Sequence, residues 1–306
     1  GGYNVAVGKD ALYSNTTASN NTAVGYQAGY SQTTAGSVGQ NTFLGHQSGY
    51  SNVSGSNITT VGYQAGYSIA SNPQLTAVGS YAAQNQTDVN DAFGFMAMRG
   101  TAGATGYYNV AVGRQSMYSL TSGLYNVAMG MQALYSNTTA SYNTAVGYQA
   151  GYTNTTGYPV TFVGYQAGKQ TTGSYLTGIG YNALNNPVTG SNAVAVGTNT
   201  LASLTSGNYN TAVGDYALQA NTTASNNTAV GYQAGYSNTT GTRLTIVGYQ
   251  AGLTNSTNSY SAYFGYRAGA NVTGDLNVAL GDRALEGQAG STATQTVAIG
   301  QGALAS

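Results

Sequence analysis

Apolar and polar residues alternate over a short stretch that recurs along the chain and ends each time in a glycine. Copies include residues 4–8 (NVAVG), 21–25 (NTAVG) and 227–231 (NTAVG). Eighteen such glycines occur, and 11 of the 17 intervals between them are 17 residues long. A fixed short period indicates one supersecondary unit stacked on itself. The pattern therefore predicts an all-β fold, a parallel β-roll or β-solenoid of about 18 rungs that runs as a single array over 1–306.

We number each rung from its recurring glycine, which is position 0. The residue at −1 is large and apolar, −3 is almost always Val or Thr, and −2 is mostly Ala. This alternation predicts a short strand, and the constancy of −1 predicts that −1 and −3 face the interior while −2 faces outward. Position +3 is Ala in 15 of the 18 rungs. We expect it on a second short strand, facing an opposing wall.

A roll of this kind buries few side chains for each residue that it orders, so its core is thin. The small, uncharged −2 column suits packing against another chain, and the large substitutes Phe43, Phe162, Ile246 and Tyr263 would be unfavourable in water. We therefore predict a homotrimer with the −2 column near the shared axis. A monomeric solenoid with a bland alanine face is the alternative.

Charge narrows the range of partners. The chain has 7 basic and 7 acidic residues, so its net charge is zero and only 5% of its residues are charged. Nothing attracts DNA, RNA or an anionic membrane, and no apolar run is long enough for membrane insertion in this segment. Such a surface responds weakly to salt and pH, which favours an extracellular location, at a cell surface or on a virion.

Residues suited to catalysis or metal binding are scarce. Cysteine is absent, which excludes disulfides, zinc–thiolate sites and thiol catalysis. The single histidine, His46, replaces a tyrosine of the repeat, and most of the seven acidic residues fall in separate rungs. We predict no enzyme activity, no metal site and no cofactor.

Tyrosine is the most prominent outward feature, with 28 copies and no tryptophan. Tyrosines recur at +1 and +5, so rings in successive rungs would stack. A structural ladder and a ligand-binding stripe for glycan or protein are both open, and they are compatible. The candidates are Tyr26, Tyr30, Tyr63, Tyr67, Tyr148, Tyr152, Tyr232 and Tyr236.

Two further features are candidate sites. The rungs around 88–108 have irregular spacing and are a possible contact site, whose candidates are Phe93, Phe95, Met96, Met98 and Arg99. Asn-x-Ser/Thr sequons recur in the outer turns, where Asn and Thr are also good turn residues. The possible glycosylation sites are Asn15, Asn137, Asn154, Asn221 and Asn238.

The strand that ends in Val-Gly or Ile-Gly, followed by a small residue three positions later, resembles the YadA-like head repeats of trimeric autotransporter adhesins. Residues 147–151 (GYQAG) and 133–139 (ALYSNTT) look more like related repeats of phage tail fibres and large environmental surface proteins. Those proteins often end in an endosialidase-type chaperone. The resemblance implies a left-handed, trimeric β-roll, although the adhesin-head period is usually shorter.

These observations lead to an expected function. We interpret the chain as a piece of a longer fibrous protein, a trimeric adhesin or tail-fibre segment that attaches to a surface through a cell-surface glycan or protein. A self-assembling filament of rolls stacked end to end is the alternative. An ice-binding solenoid is less expected, because the Thr column at −3 is predicted to point inward.

Overall fold

The strands of the computed structural model are short and pair in parallel, and they recur with the period of the sequence repeat. The structure describes residues 1–33, 39–69, 74–86, 89–288 and 290–305, and no helix occurs among them. The chain divides into two compact units, Gly1–Thr156 and Gly157–Ser306. Each unit is an all-β parallel solenoid with a repeat of about 17 residues, which confirms the predicted fold class. A single array over 1–306 stays a prediction.

The first unit contains nine strands, each paired in parallel with the next. Equivalent repeat positions are paired; Ala6, for instance, lies opposite Ala23. The strands are β1 Val5–Val7, β2 Thr22–Val24, β3 Thr42–Leu44, β4 Thr59–Val61, β5 Thr76–Val78, β6 Asn90–Phe93, β7 Asn109–Val112, β8 Val127–Met129 and β9 Thr144–Val146.

The second unit continues the pattern with nine strands of the same kind and a small additional pair, β17 with β19. Its strands are β10 Val160–Val163, β11 Leu176–Ile179, β12 Ala193–Val196, β13 Thr211–Val213, β14 Thr228–Val230, β15 Thr245–Val247, β16 Ala262–Phe264, β17 Val272–Thr273, β18 Val278–Leu280, β19 Ser291–Thr292 and β20 Val297–Ile299.

The predicted orientation of the strands is wrong. The −2 residue is buried in every described strand of the repeat from Ala23 onward, and only Ala6 in the first rung is exposed. The −1 and −3 side chains reach solvent instead, as the 45% exposure of Leu44 and the 44% exposure of Met129 indicate. Alanine recurs at −2 because the interior is narrow, and a constant apolar residue at −1 marks an outward face.

The prediction of a second strand in each rung is also wrong, whereas the predicted burial of position +3 is confirmed. Residues +1 to +5 form a turn with positive φ at +2 and +4, as at Gln132 (59°) and Leu134 (48°). Backbone bonds still join successive rungs, since the Leu134 N–H donates to the Ala150 carbonyl at 3.0 Å. Ala133 and Ala150, both at +3, are fully buried.

The large residues at −2 fill space that glycine leaves at +4. A Cβ added to Gly49 would lie 2.2 Å from the Phe43 ring, and one added to Gly168 would lie 2.4 Å from the Phe162 ring. In rungs with Ala at −2, Leu or Met often occupies +4; Leu134 and Met117 are both buried. Phe43, Phe162, Ile246 and Tyr263 therefore belong to the core and do not mark an intermolecular contact.

The recurring glycine is required by the close approach of successive rungs. At Gly130, φ is +135° and an added Cβ would lie 2.5 Å from the Gly147 carbonyl oxygen. Buried asparagines at −4 connect the outer turns. The Asn126 backbone N–H donates to the Asn109 Oδ1 at 2.9 Å, and the Asn126 Nδ2 donates to the Ala140 carbonyl at 2.9 Å. Buried polar groups are thereby paired.

Candidate interaction surfaces

The strands present one largely uncharged outward surface in each unit, which we call the sheet face and define by the −3 and −1 side chains. Most rungs place Thr or Val at −3 and Val at −1. Asp91 is the one charged side chain at these positions within the described strands. Larger apolar residues at −1 are 38–65% exposed; these are Leu44, Phe93, Met129, Ile179, Phe264, Leu280 and Ile299.

Tyrosines at +5 form stacks in the first unit. The ring centroids of Tyr13, Tyr30, Tyr50 and Tyr67 follow one another at 5.0–5.1 Å, with interplanar angles of 3–9°. Tyr152 ends a second stack of the same kind, which begins at Tyr118. The predicted ladder is confirmed here for Tyr30, Tyr67 and Tyr152. Tyr236 is half-buried in the second unit, between the column positions of Gln219 and Leu253.

Tyrosines at +1 are more exposed and also stack. In the first unit His46 lies between Tyr26 and Tyr63, with 5.0 Å between ring centroids on each side. His46 thus continues the aromatic row, as expected for a substitution within the repeat. In the second unit Tyr232, Tyr249 and Tyr266 stack at 5.3 Å. Tyr148 is exposed at the same position.

Glutamines at +2 form a hydrogen-bonded ladder beside the tyrosines, which the sequence analysis did not identify. The Gln47 Nε2 donates to the Gln27 Oε1 at 2.9 Å, and the Gln64 Nε2 donates to the Gln47 Oε1 at 2.8 Å. Gln250 donates to Gln233 in the same way, at 2.8 Å. The recurrent Gly-Tyr-Gln-Ala-Gly run carried this signal, because a glutamine repeated at one position of a solenoid stacks on itself.

A third tyrosine column, at −5, was also missed. Tyr108, Tyr125 and Tyr142 stack at 5.3 Å, and each has a positive φ between 55° and 60°. Positive φ is unusual for a tyrosine, so sequence propensities gave no indication of this position. The recurrence of tyrosine five residues before the glycine was the available signal.

The irregular stretch contains both exposed and structural residues, and Asp88 lies outside the described residues. Phe93 and Phe95 are 38% and 40% exposed, whereas Met96 is half-buried and Met98 is in the core. The Arg99 guanidinium lies 5.8 Å from the ring centroids of Tyr81 and Tyr118 and donates to the Tyr118 hydroxyl at 2.9 Å. Arg99 therefore bridges two aromatic residues within the protein.

The sequon asparagines are structural in this fold. Asn137, Asn154, Asn221 and Asn238 are fully buried, and Asn15 is half-buried. Asn137 is representative, since its Oδ1 accepts from the Ala140 N–H at 3.1 Å and its Nδ2 donates to the Ala140 carbonyl at 3.3 Å. A glycan on such a nitrogen would require the turn to open, so the folded chain favours the interpretation as turn residues.

Stacking also affects tyrosine ionisation. Burial raises the pKa of Tyr30, and the neighbouring phenols Tyr13 and Tyr50 raise it further. Burial likewise raises the pKa of Tyr135. The pKa of Tyr63 is raised chiefly by the nearby phenol of Tyr81. A phenolate in a stack faces other phenols at close range, so the stacks favour neutral rings.

The described residues hold no cluster of histidine and acidic side chains. No group of three or more histidine and acidic side chains is close enough there to hold a metal ion. The described part of the chain also lacks a helix long and apolar enough to cross a membrane. Comparison with protein-family profiles, curated proteins and solved structures finds no match for this chain. The surface consists of stacked aromatic rings, amides and a sheet face of Thr, Val and larger apolar side chains.

Proposed function

We propose that this chain is a segment of an extracellular, homotrimeric fibre of the adhesin or tail-fibre kind, which holds or forms a surface for attachment. The observation that carries the proposal is the largely uncharged sheet face, where apolar −1 residues are exposed or partly exposed in one rung after another. Exposed apolar surface that continues over many residues marks an interaction site. The sheet face, rather than the −2 column, is then the side that packs near the shared axis.

The stacked architecture supports a mechanical role. Each rung contacts its neighbours through parallel backbone bonds and, in many rungs, through tyrosine stacks and glutamine ladders. Such an array tolerates addition or loss of rungs, because its stability is a sum of rung and nearest-neighbour terms. The resemblance of the repeat to adhesin heads and tail fibres supports the trimeric form.

Light scattering and oligomer-interface variants test the proposal. Val146→Glu in the first unit and Val213→Glu in the second place a charge on the sheet face and should dissociate the trimer. Tyr209→Glu is the control, because Tyr209 is 62% exposed and lies in the −5 column. A stable monomer of the unaltered chain would overturn the proposal. Assemblies that grow with concentration beyond three chains would support the alternative, a self-assembling filament.

The orientation of the threonines favours one second candidate, an ice-binding solenoid. Thr22, Thr42 and Thr228 at −3 are exposed, contrary to the inward orientation that made this function less expected. Regular rows of Thr hydroxyls and methyls beside Val methyls form a largely uncharged array suited to ordering water. Thermal hysteresis of the soluble chain, lost on Thr228→Lys but retained in Tyr209→Lys, would support this function over the fibre. Burial of the sheet face in a trimer would prevent it.

A further inference from the structure

The +1 and +2 side chains of successive rungs form a continuous exposed strip, which we call the corner row. The name refers here to the run Tyr232, Gln233, Tyr249, Gln250 and Tyr266 of the second unit, where +1 is tyrosine in three successive rungs. We propose that this row binds a neutral, linear polysaccharide that runs along the stack of rungs, with one sugar for each rung. The inference rests on the proposed attachment function and specifies its ligand and its site.

The aromatic stacking determines how a sugar can approach. Adjacent rings of Tyr232, Tyr249 and Tyr266 lie at 5.3 Å with interplanar angles of 20° and 8°. Both faces of the inner ring, Tyr249, are therefore covered by its neighbours, and a sugar cannot lie flat on it. The three residues are still 40–45% exposed. Ring edges and hydroxyls are what remain for a ligand, and they are arranged in a line.

The glutamine ladder adds a second line of polar groups. A side-chain amide has two N–H donors and an oxygen with two lone pairs. In the Gln250–Gln233 bond of 2.8 Å, Gln250 uses one donor and Gln233 uses one lone pair. Both residues are half-buried, so part of each side chain reaches solvent. The rungs of Tyr232 and Tyr249 then each offer a phenol and an amide, which together donate and accept, whereas the rung of Tyr266 has Arg267 at +2.

The spacing favours a polymer over a single sugar. Rungs are about 4.8 Å apart, and an extended β-1,4-linked chain advances by one sugar over a similar length. Its hydroxyls therefore recur at nearly the same interval as the hydroxyls and amides of the row. No single rung encloses a ligand, so each contact is weak and affinity accumulates with the number of rungs engaged.

Charge and length define the ligand further. The tyrosines and glutamines of the row are uncharged, and the row is bounded by charged rungs. Asp215 lies in the preceding rung. At the other end Arg267 occupies +2 in the rung of Tyr266, and its Nε is paired with the Glu286 Oε1 at 2.6 Å, while the Arg283 guanidinium lies 5.8 Å from the Tyr266 ring centroid. Around the row, three acidic groups (Asp215, Asp282 and Glu286) outnumber two basic groups (Arg267 and Arg283), so they give no net attraction for uronate or sialate groups. The three tyrosine rungs should be filled by a segment of about three to four sugars.

Saturation-transfer NMR with neutral β-1,4-linked gluco- and manno-oligosaccharides of one to about six sugars tests the inference on the intact chain. Affinity should rise with length and level off at about three to four sugars. Tyr249→Ser and Gln250→Met should each weaken binding about five-fold. Methionine already occupies +2 at Met96. Tyr209→Ser is the matched control and should bind like the unaltered chain.

Equal affinity for one and six sugars, or full binding by Tyr249→Ser, would overturn the inference. Preferential, salt-sensitive binding of polygalacturonate would also overturn it. Circular dichroism of each variant separates lost binding from lost folding, and a Tyr249→Phe variant with intact folding should retain partial binding. Light scattering of the same samples separates the two proposals. A trimer that binds none of these sugars would overturn the proposed ligand but not the proposed fibre. A monomer that binds them would overturn the proposed fibre but not the proposed ligand.

Discussion

Replacement of Tyr263 by phenylalanine should stabilise the protein, although it deletes a polar group. Tyr263 occupies −2 and is fully buried. Its ring lies against Gly252 and Gly269, where an added Cβ would come within 3.1 and 2.4 Å of ring carbons. The hydroxyl is buried without a hydrogen-bond partner among the described residues. Phe43 and Phe162 occupy the same repeat position with no hydroxyl, so the fold accepts the apolar ring.

The expected change in the free energy of unfolding follows from the desolvation of the Tyr263 hydroxyl. A buried polar group without a partner costs about 1–3 kcal/mol. Phenylalanine retains the ring and leaves only the small space of one oxygen, so the loss of contact should be minor. We expect Tyr263→Phe to raise the free energy of unfolding by about 1–2 kcal/mol. For a unit of this size that corresponds to about 2–4 °C in melting temperature for each kcal/mol.

Urea unfolding followed by circular dichroism measures this change, at one fixed protein concentration because the chain is proposed to associate. Phe162→Tyr is the reverse control and should lower stability by a similar amount, since it introduces the same hydroxyl into an equivalent apolar site. The reasoning is refuted if Tyr263→Phe lowers the free energy of unfolding. That result would mean that the hydroxyl has a partner, such as a buried water.

Three further changes probe other parts of the fold. Ala150→Leu should cost about 1–3 kcal/mol by overpacking the interior, whereas Val146→Leu on the sheet face should cost much less; equal shifts in urea midpoint would contradict the burial of +3. Gly130→Ala should cost more than either variant, because φ is +135° and the new Cβ would meet a carbonyl of the next rung, and unchanged thermal melting would refute this. The pKa of Tyr30 is raised in the folded chain. The contribution of this shift to the free energy of unfolding is therefore fully present below the unfolded pKa of about 10 and is lost as pH rises through the folded pKa. Absorbance titration at alkaline pH should show tyrosines that ionise late, together with a falling free energy of unfolding.

The sequence was sufficient to predict the class of fold, because the spacing of glycines is a direct record of the stacking. It also predicted the strand and the buried small residue at +3, as at Ala150. It did not predict which strand face is interior. A constant valine and a constant alanine are both compatible with burial, and the choice depends on the width of the interior. In a narrow roll the smaller residue is inside, as at Ala145, and the larger one is outside, as at Val146.

The turn that replaces the expected second strand could not be predicted from propensities. Positive φ at +2 and +4 is occupied by residues such as Gln149 and Leu134, which ordinarily avoid this region. The bonds between rungs and the burial of the side chains maintain this backbone against its intrinsic cost. The tyrosines of the corner row were predicted in part, since Tyr232 was a candidate stacking or ligand-binding residue. Its glutamine ladder was not, because amide stacking appears only when the register of successive rungs is known.

The rungs are nearly identical in sequence, yet each must pair with the correct neighbour. The packing of the interior explains how this register is specified. Gly235 at +4 lies between two larger neighbours: an added Cβ would be 2.9 Å from both the Leu218 Cδ2 and the Ile246 Cδ1. The first unit repeats the arrangement with Leu12, Gly29 and Phe43, although Phe43 there replaces the smaller Ile. A slip by one rung would bring a leucine into space that the −2 residue fills, and overpacking of this kind costs about 1–3 kcal/mol at each site. The outward positions can therefore repeat almost without variation, because the order of large and small residues inside the roll specifies the register.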